Sequence, residues 1–177
     1  MTLRDVLEHT KAIIGEKINL DEQGEQKDKL LAAALSIYDE LTTDYVHLKA
    51  EEEVVFEGGV AYFADFEKNV KDILSIKQAG KNISFEMFPL FVKNANITGT
   101  VEIKYYYKPD EPELDSLLEL PPRFSVYMLA NGVASEYYYR SGMVDEATYY
   151  RNRYEYSLSN AQVRLRNLTL KAEKLLC

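Results

Sequence analysis

The stretch 145-DEATYYRNRYEYSLSNAQVRLRNLTLKAEKL-175 decides the fold. Within it Ala147, Tyr150, Tyr154, Leu158, Ala161, Leu165, Leu168, Ala172 and Leu175 recur at three- and four-residue steps, the spacing of one helix face. A helix over this span is about 45 Å long at roughly 1.5 Å per residue. That exceeds what one wall of a small core needs, so part of the helix is expected to serve something beyond the chain itself.

Upstream, a helix is predicted from about Arg123 to Ser141, carrying Tyr127, Ala130, Ala134 and Tyr137 or Tyr138, with Gly142 suited to a left-handed cap. Only Ser141 to Val144 join it to the long helix, so the two form an antiparallel hairpin. Pro109, Pro112 and Pro121-Pro122 make a rigid connector before it. Further back the period turns extended. Glu53 to Glu57, Val60 to Phe63, Val70 to Ile76, Ile83 to Phe88 and Thr100 to Tyr107 read as five strands of a small curved sheet or sandwich. Gly58-Gly59, Gly80-Lys81-Asn82 and Asn94 to Gly99 supply the turns, and Pro89 is excluded from a central ladder. Val101, Ile103, Tyr105 and Tyr107 alternate with Glu102, Lys104 and Tyr106, as in an antiparallel strand with one buried face.

At the start, Thr2 can cap a helix ending at Gly15, and a second helix is predicted from about Glu25 to Leu48 on the stripe Leu30, Ala34, Ile37, Leu41 and Tyr45. The expected class is α+β: a bundle of about four helices, the C-terminal one long, with an inserted antiparallel β subdomain. Its parts are N-terminal helices over 1–48, the β insertion over 49–108, and over 109–177 a helical hairpin packing on the N-terminal helices.

With 177 residues, 46% of them hydrophobic and 28% charged, the composition is that of a soluble globular domain. No apolar run reaches 18 residues and the first 25 residues are charged throughout, which predicts neither a membrane span nor a secretory signal. The single cysteine, Cys177, leaves no intrachain disulfide or thiolate cluster and fits synthesis in a reducing cytoplasm; its own role is unassigned. The net charge of −8 is unevenly placed. Residues 1–57 hold 6 basic and 14 acidic side chains; residues 151–177 hold Arg151, Arg153, Arg164, Arg166, Lys171 and Lys174 against Glu155 and Glu173. The basic end either docks on an acidic neighbour, with Arg164, Arg166, Lys171 and Lys174 as the candidate docking end, or complements its own helix dipole.

Chemistry-bearing motifs are sparse. His9 and His47 lie on different predicted helices without an HxxxH or HExxH partner, and no GxSxG, GxxxxGK[ST] or GxGxxG sequence occurs. Glu51-Glu52-Glu53 would alternate faces on a strand, which favours a solvated edge over an oxygen cage for a cation. No catalytic residue, metal site or cofactor is assigned. Fourteen tyrosines and no tryptophan are the oddity. Tyrosine suits both cores and protein interfaces; stacking on nucleic-acid bases would need a basic groove, and Tyr105 to Tyr107 have only Lys104 and Lys108 beside them.

The runs Gly59 to Ile76 (GVAYFADFEKNVKDILSI), Ile83 to Pro89 (ISFEMFP) and Val101 to Pro109 resemble the β insertion of tailed-bacteriophage head-tail connector proteins. Leu120-Pro121-Pro122, Leu129 to Tyr137 (LANGVASEY) and Asp145 to Glu155 (DEATYYRNRYE) are similar to the C-terminal helical hairpin of adaptor and tail-tubular proteins. The likeness covers most of residues 50–160. It implies a non-enzymatic virion protein made in the bacterial host cytoplasm: a dodecameric ring of identical copies below the portal protein, meeting tail or nozzle proteins, with genome DNA passing through its bore unread. Ring closure needs a heterologous interface. Tyr138, Tyr139, Tyr149 and Arg153, which fall off the inward stripe, are its candidates.

Two other readings stand beside this one. A cellular protein-protein interaction module would use the tyrosine-rich surface. A small enzyme would use Asp145 and Glu146 as acid and base, although their place at a helix start also fits dipole compensation.

Overall fold

The computed structural model describes residues 1–174, and side chains as far as Gln162. Among the described residues the chain is mixed α+β, with four α-helices and two antiparallel sheets. It divides into two compact units: Met1–Leu41 with Glu111 onward, and Thr42–Asp110.

The first unit is helical. Helix α1 (Leu3–Ile14) starts at a reciprocal cap in which Asp5 N–H donates to the Thr2 hydroxyl and Thr2 N–H donates to the Asp5 carboxylate. It ends at Gly15, whose φ of 74° is a left-handed conformation that a Cβ disfavours. Helix α2 (Glu25–Glu40) stops earlier than its apolar stripe predicts. A π-helical turn, Leu41–Tyr45, takes over and the chain turns extended at Leu48, so helical backbone ends at Tyr45 rather than at Leu48. The proline-containing connector is pinned to the N-terminus: Arg4 N–H donates to the Leu114 carbonyl at 2.8 Å, Leu118 N–H to the Met1 carbonyl at 3.1 Å, and the Arg4 guanidinium forks onto Asp115.

Helix α3 (Val126–Arg140) begins on the Ser125 side-chain cap, and every residue from Met128 to Ser135 is buried. It packs on α1, α2 and α4 (Val144–Lys174) alike, so it is both the central helix of the unit and the first arm of the expected hairpin with α4. The cause is the charge-free run Phe124 to Ser135, apolar or small on all sides. Gly132 permits the closest approach: a Cβ there would lie 2.9 Å from the Tyr154 ring and 3.1 Å from Ile37. On α4, Ala147, Tyr154, Leu158 and Ala161 are buried as the seam predicts, and Tyr150 is half-buried. The side chains of Leu165, Leu168, Ala172 and Leu175 lie outside the described residues.

The second unit has seven strands where five were expected: β1 (Leu48–Phe56), β2 (Val60–Tyr62), β3 (Asn69–Gln78), β4 (Lys81–Ile83), β5 (Glu86–Met87), β6 (Phe91–Lys93) and β7 (Gly99–Lys108). One sheet runs β1-β7-β3-β4 and the other β2-β6-β5. The run Ile83 to Phe88 is divided between β4 and β5, and Pro89 sits in the turn before β6. Gly58 and Gly59, at φ 60° and 83°, close a two-residue hairpin; a Cβ on Gly59 would lie 2.8 Å from the Asn94 carbonyl. The next hairpin turns at Ala79-Gly80, one step earlier than expected, because both take positive φ and leave Lys81 and Asn82 to pair in β4. Val101, Ile103 and Tyr105 face a core that includes Val54, Phe56, Phe66, Ile73, Ile76 and Val92. Glu51 and Glu53 are exposed on β1, an edge strand; Glu52, half-buried, accepts hydrogen bonds from the Tyr105 hydroxyl and Glu67 N–H. Burial and that carboxylate push the Tyr105 phenol well above its usual range.

Candidate functional site

At about 100° per residue, α4 presents three longitudinal faces. The inward one is built around Tyr154, whose ring is fully buried and whose hydroxyl donates to Glu40 at 3.3 Å. Arg151 grips the same carboxylate with two bonds of 2.9 and 3.1 Å and lies 5.1 Å over the Tyr154 ring. Its Nε donates to Glu155 at 2.7 Å, so the arginine joins the end of α2 to two turns of α4. Tyr137, on α3, is buried likewise and donates to Glu16 at 2.7 Å; burial first and that hydrogen bond second push its pKa up to about 12.

On one outward flank of α4 lie Tyr149, Arg153 and Tyr156. Arg153 donates to the Tyr149 hydroxyl at 3.0 Å and to the Tyr127 hydroxyl of α3, and its guanidinium stands 5.4 Å from the Tyr127 ring and 5.6 Å from the Tyr149 ring. Tyr127, Tyr149 and Tyr156 are exposed by 47%, 56% and 73%. Aromatic surface is thus grouped with one guanidinium on this flank. The opposite flank holds a groove of about 390 Å³ between α3 and α4, with Tyr139, Glu136, Thr148, Arg151 and Glu155 on its walls.

The four predicted interface residues therefore do not form one patch. Tyr149 and Arg153 come together, with Tyr127 of α3, which the sequence pattern groups with Ala130 and Ala134, as a third member. Tyr127 is the second residue of α3, one residue before the buried run begins at Met128. Tyr139 is 66% exposed but belongs to the groove flank. Tyr138 is half-buried: its ring stacks on Tyr150 at 5.6 Å and 10°, and its hydroxyl lies 3.5 Å from the Ile14 carbonyl, which removes it from the candidate surface. Burial, then the nearby Tyr150, raises its pKa. The side chains of Arg164, Arg166, Lys171 and Lys174, and Cys177, lie outside the described residues.

Asp145 and Glu146 are exposed in the first turn of α4, where they complement its dipole. His9 turns its Nδ1 to the Asp5 carbonyl at 2.9 Å, and the His47 ring tilts against Tyr106 at 5.2 Å. Among the described residues no three His, Cys, Asp or Glu side chains are grouped to hold a metal ion, and no helix is long and apolar enough to cross a membrane. The Tyr127, Tyr149 and Arg153 flank presents hydrogen-bond donors, aromatic faces and one cation. Compared with known proteins, the chain matches no family model and no curated sequence.

Proposed function

We propose that this protein is a head-tail connector of a tailed bacteriophage or prophage, a non-enzymatic virion component in which a helical bundle carries the β unit as an insertion. Copies would form a ring of twelve beneath the portal protein, meet tail or nozzle proteins on the other side, and let genome DNA through without reading its sequence. The observation that carries this reading is the disproportion of the hairpin: α4 has 31 residues against 15 in α3, so α3 can accompany only about half of it. A helix of that length, in a chain whose exposed hairpin flank holds Tyr127, Tyr149 and Arg153, suits contact with neighbouring subunits better than completion of one small core. The overall acidity, −8, suits a bore past which phosphates slide.

The test is cosedimentation of the purified protein with portal rings encoded by the same genome, followed by negative-stain imaging. A stacked collar with rotational symmetry is the expected result. No binding at tens of micromolar protein would overturn the reading in favour of a cellular interaction module.

A further inference from the structure

Arg153 is exposed on α4. Two of its N–H groups are spent on the Tyr127 and Tyr149 oxygens, and no carboxylate among the described residues pairs with it. Each phenol, by accepting from Arg153, keeps its own O–H hydrogen for another acceptor, and both rings are about half exposed. A guanidinium flanked by two hydroxyl donors is a receptor for a carboxylate.

We infer that Arg153, Tyr127 and Tyr149 receive the acidic start of α2, Glu25 and Asp28, from a second copy of this chain. The chain has an acidic surplus concentrated in residues 1–57, and Glu25 and Asp28 are exposed with no ion pair among the described residues. Their own protomer cannot deliver them to Arg153. Glu40, at the far end of α2, is held by Arg151, two residues from Arg153, and Glu25 lies about 22 Å away along the helix at ~1.5 Å per residue. One copy thus offers the receptor at one place and the carboxylates at another, which makes the contact heterologous and lets it repeat from copy to copy. The inference deepens the ring reading above and rests on it for closure.

Sedimentation velocity on the full chain at several hundred micromolar tests it, with circular dichroism as the control for folding. The wild type is expected to form species larger than dimers. Arg153→Glu alone, and Glu25→Arg with Asp28→Arg alone, should each weaken association at least tenfold. An equimolar mixture of the two variants should restore it, since every contact between unlike copies is again opposite in charge. A wild type that stays monomeric or stops at a dimer, or a mixture no better than either variant, overturns the inference. Because no portal is present, such a failure leaves the collar experiment untouched, and a collar formed by the Arg153→Glu variant would place the ring contact elsewhere.

Discussion

The inward and outward faces of the α3–α4 hairpin are both rich in tyrosine, but they partner it with opposite charges. Tyr154 and Tyr137 are buried and donate to carboxylates, Glu40 and Glu16, at the rim of the core. Tyr149 and Tyr127 are exposed and accept from a guanidinium, Arg153. A phenol whose proton goes to a carboxylate has that donor satisfied within the fold, and its ring can be packed away. A phenol that accepts from arginine still has a proton to give, and it remains at the surface. Counting tyrosines says only that both uses are available; the charge of the partner separates them.

The sharpest way to break this contrast is Leu158→Asp. Leu158 is 4% exposed on the same face as Tyr154, and an unpaired carboxylate there should cost about 3–5 kcal/mol. Urea unfolding should show the helical unit lost or barely stable. If the variant melts like the wild type while assembly disappears, the inward face is an intersubunit surface and the division proposed here is wrong.

A smaller effect concerns Tyr137. Its phenol is neutral when protonated, and burial with the hydrogen bond to Glu16 pushes its pKa up to about 12 in the folded protein, from 10.0 in the unfolded chain. The unfolded state therefore releases its proton first as pH rises. The stability contributed by the protonated form is whole below pH 10 and is lost between 10 and 12, by about 3 kcal/mol in all. Thermal melts of Tyr137→Phe should lack this part of the alkaline decline, and at pH 7 the variant should be less stable by about 1 kcal/mol for the missing hydrogen bond.

Smallest of all in stability is Tyr149→Ala, which should fall within about 0.5 kcal/mol of wild type in the same melts while reducing self-association in the ultracentrifuge. A destabilisation above about 1.5 kcal/mol would make Tyr149 part of the fold and erase the distinction between the two faces.

What the sequence disclosed follows the strength of its periodic signals. The stripe through Ala147, Tyr154, Leu158 and Ala161, the Thr2 and Gly15 caps and the alternation of Val101, Ile103 and Tyr105 are local patterns, and each has its expected counterpart in the structure. The end of α2 was misread because apolar spacing continues through Tyr45 while the backbone widens into a π-turn, which spacing cannot register. Strands β4, β5 and β6 have two or three residues each, too few for a period to show. The candidate surface was half legible: falling off the inward stripe identified Tyr149 and Arg153, but it could not reveal that Tyr138 is covered by Tyr150 and the end of α1, nor that Tyr127 of another helix completes the group.

The position of α3 in the chain has a consequence in time. Helices α1 and α2 both pack on α3, yet the whole β unit lies between them in sequence. At about 5–20 residues per second, α3 follows the end of α2 out of synthesis by roughly 4–17 s. For that interval Leu3, Val6, Leu7, Leu30 and Ile37 lack the helix that covers them, while the contiguous β unit has all its strands. The nascent chain should therefore fold from its middle outward, and chaperone binding during translation should centre on the first forty residues.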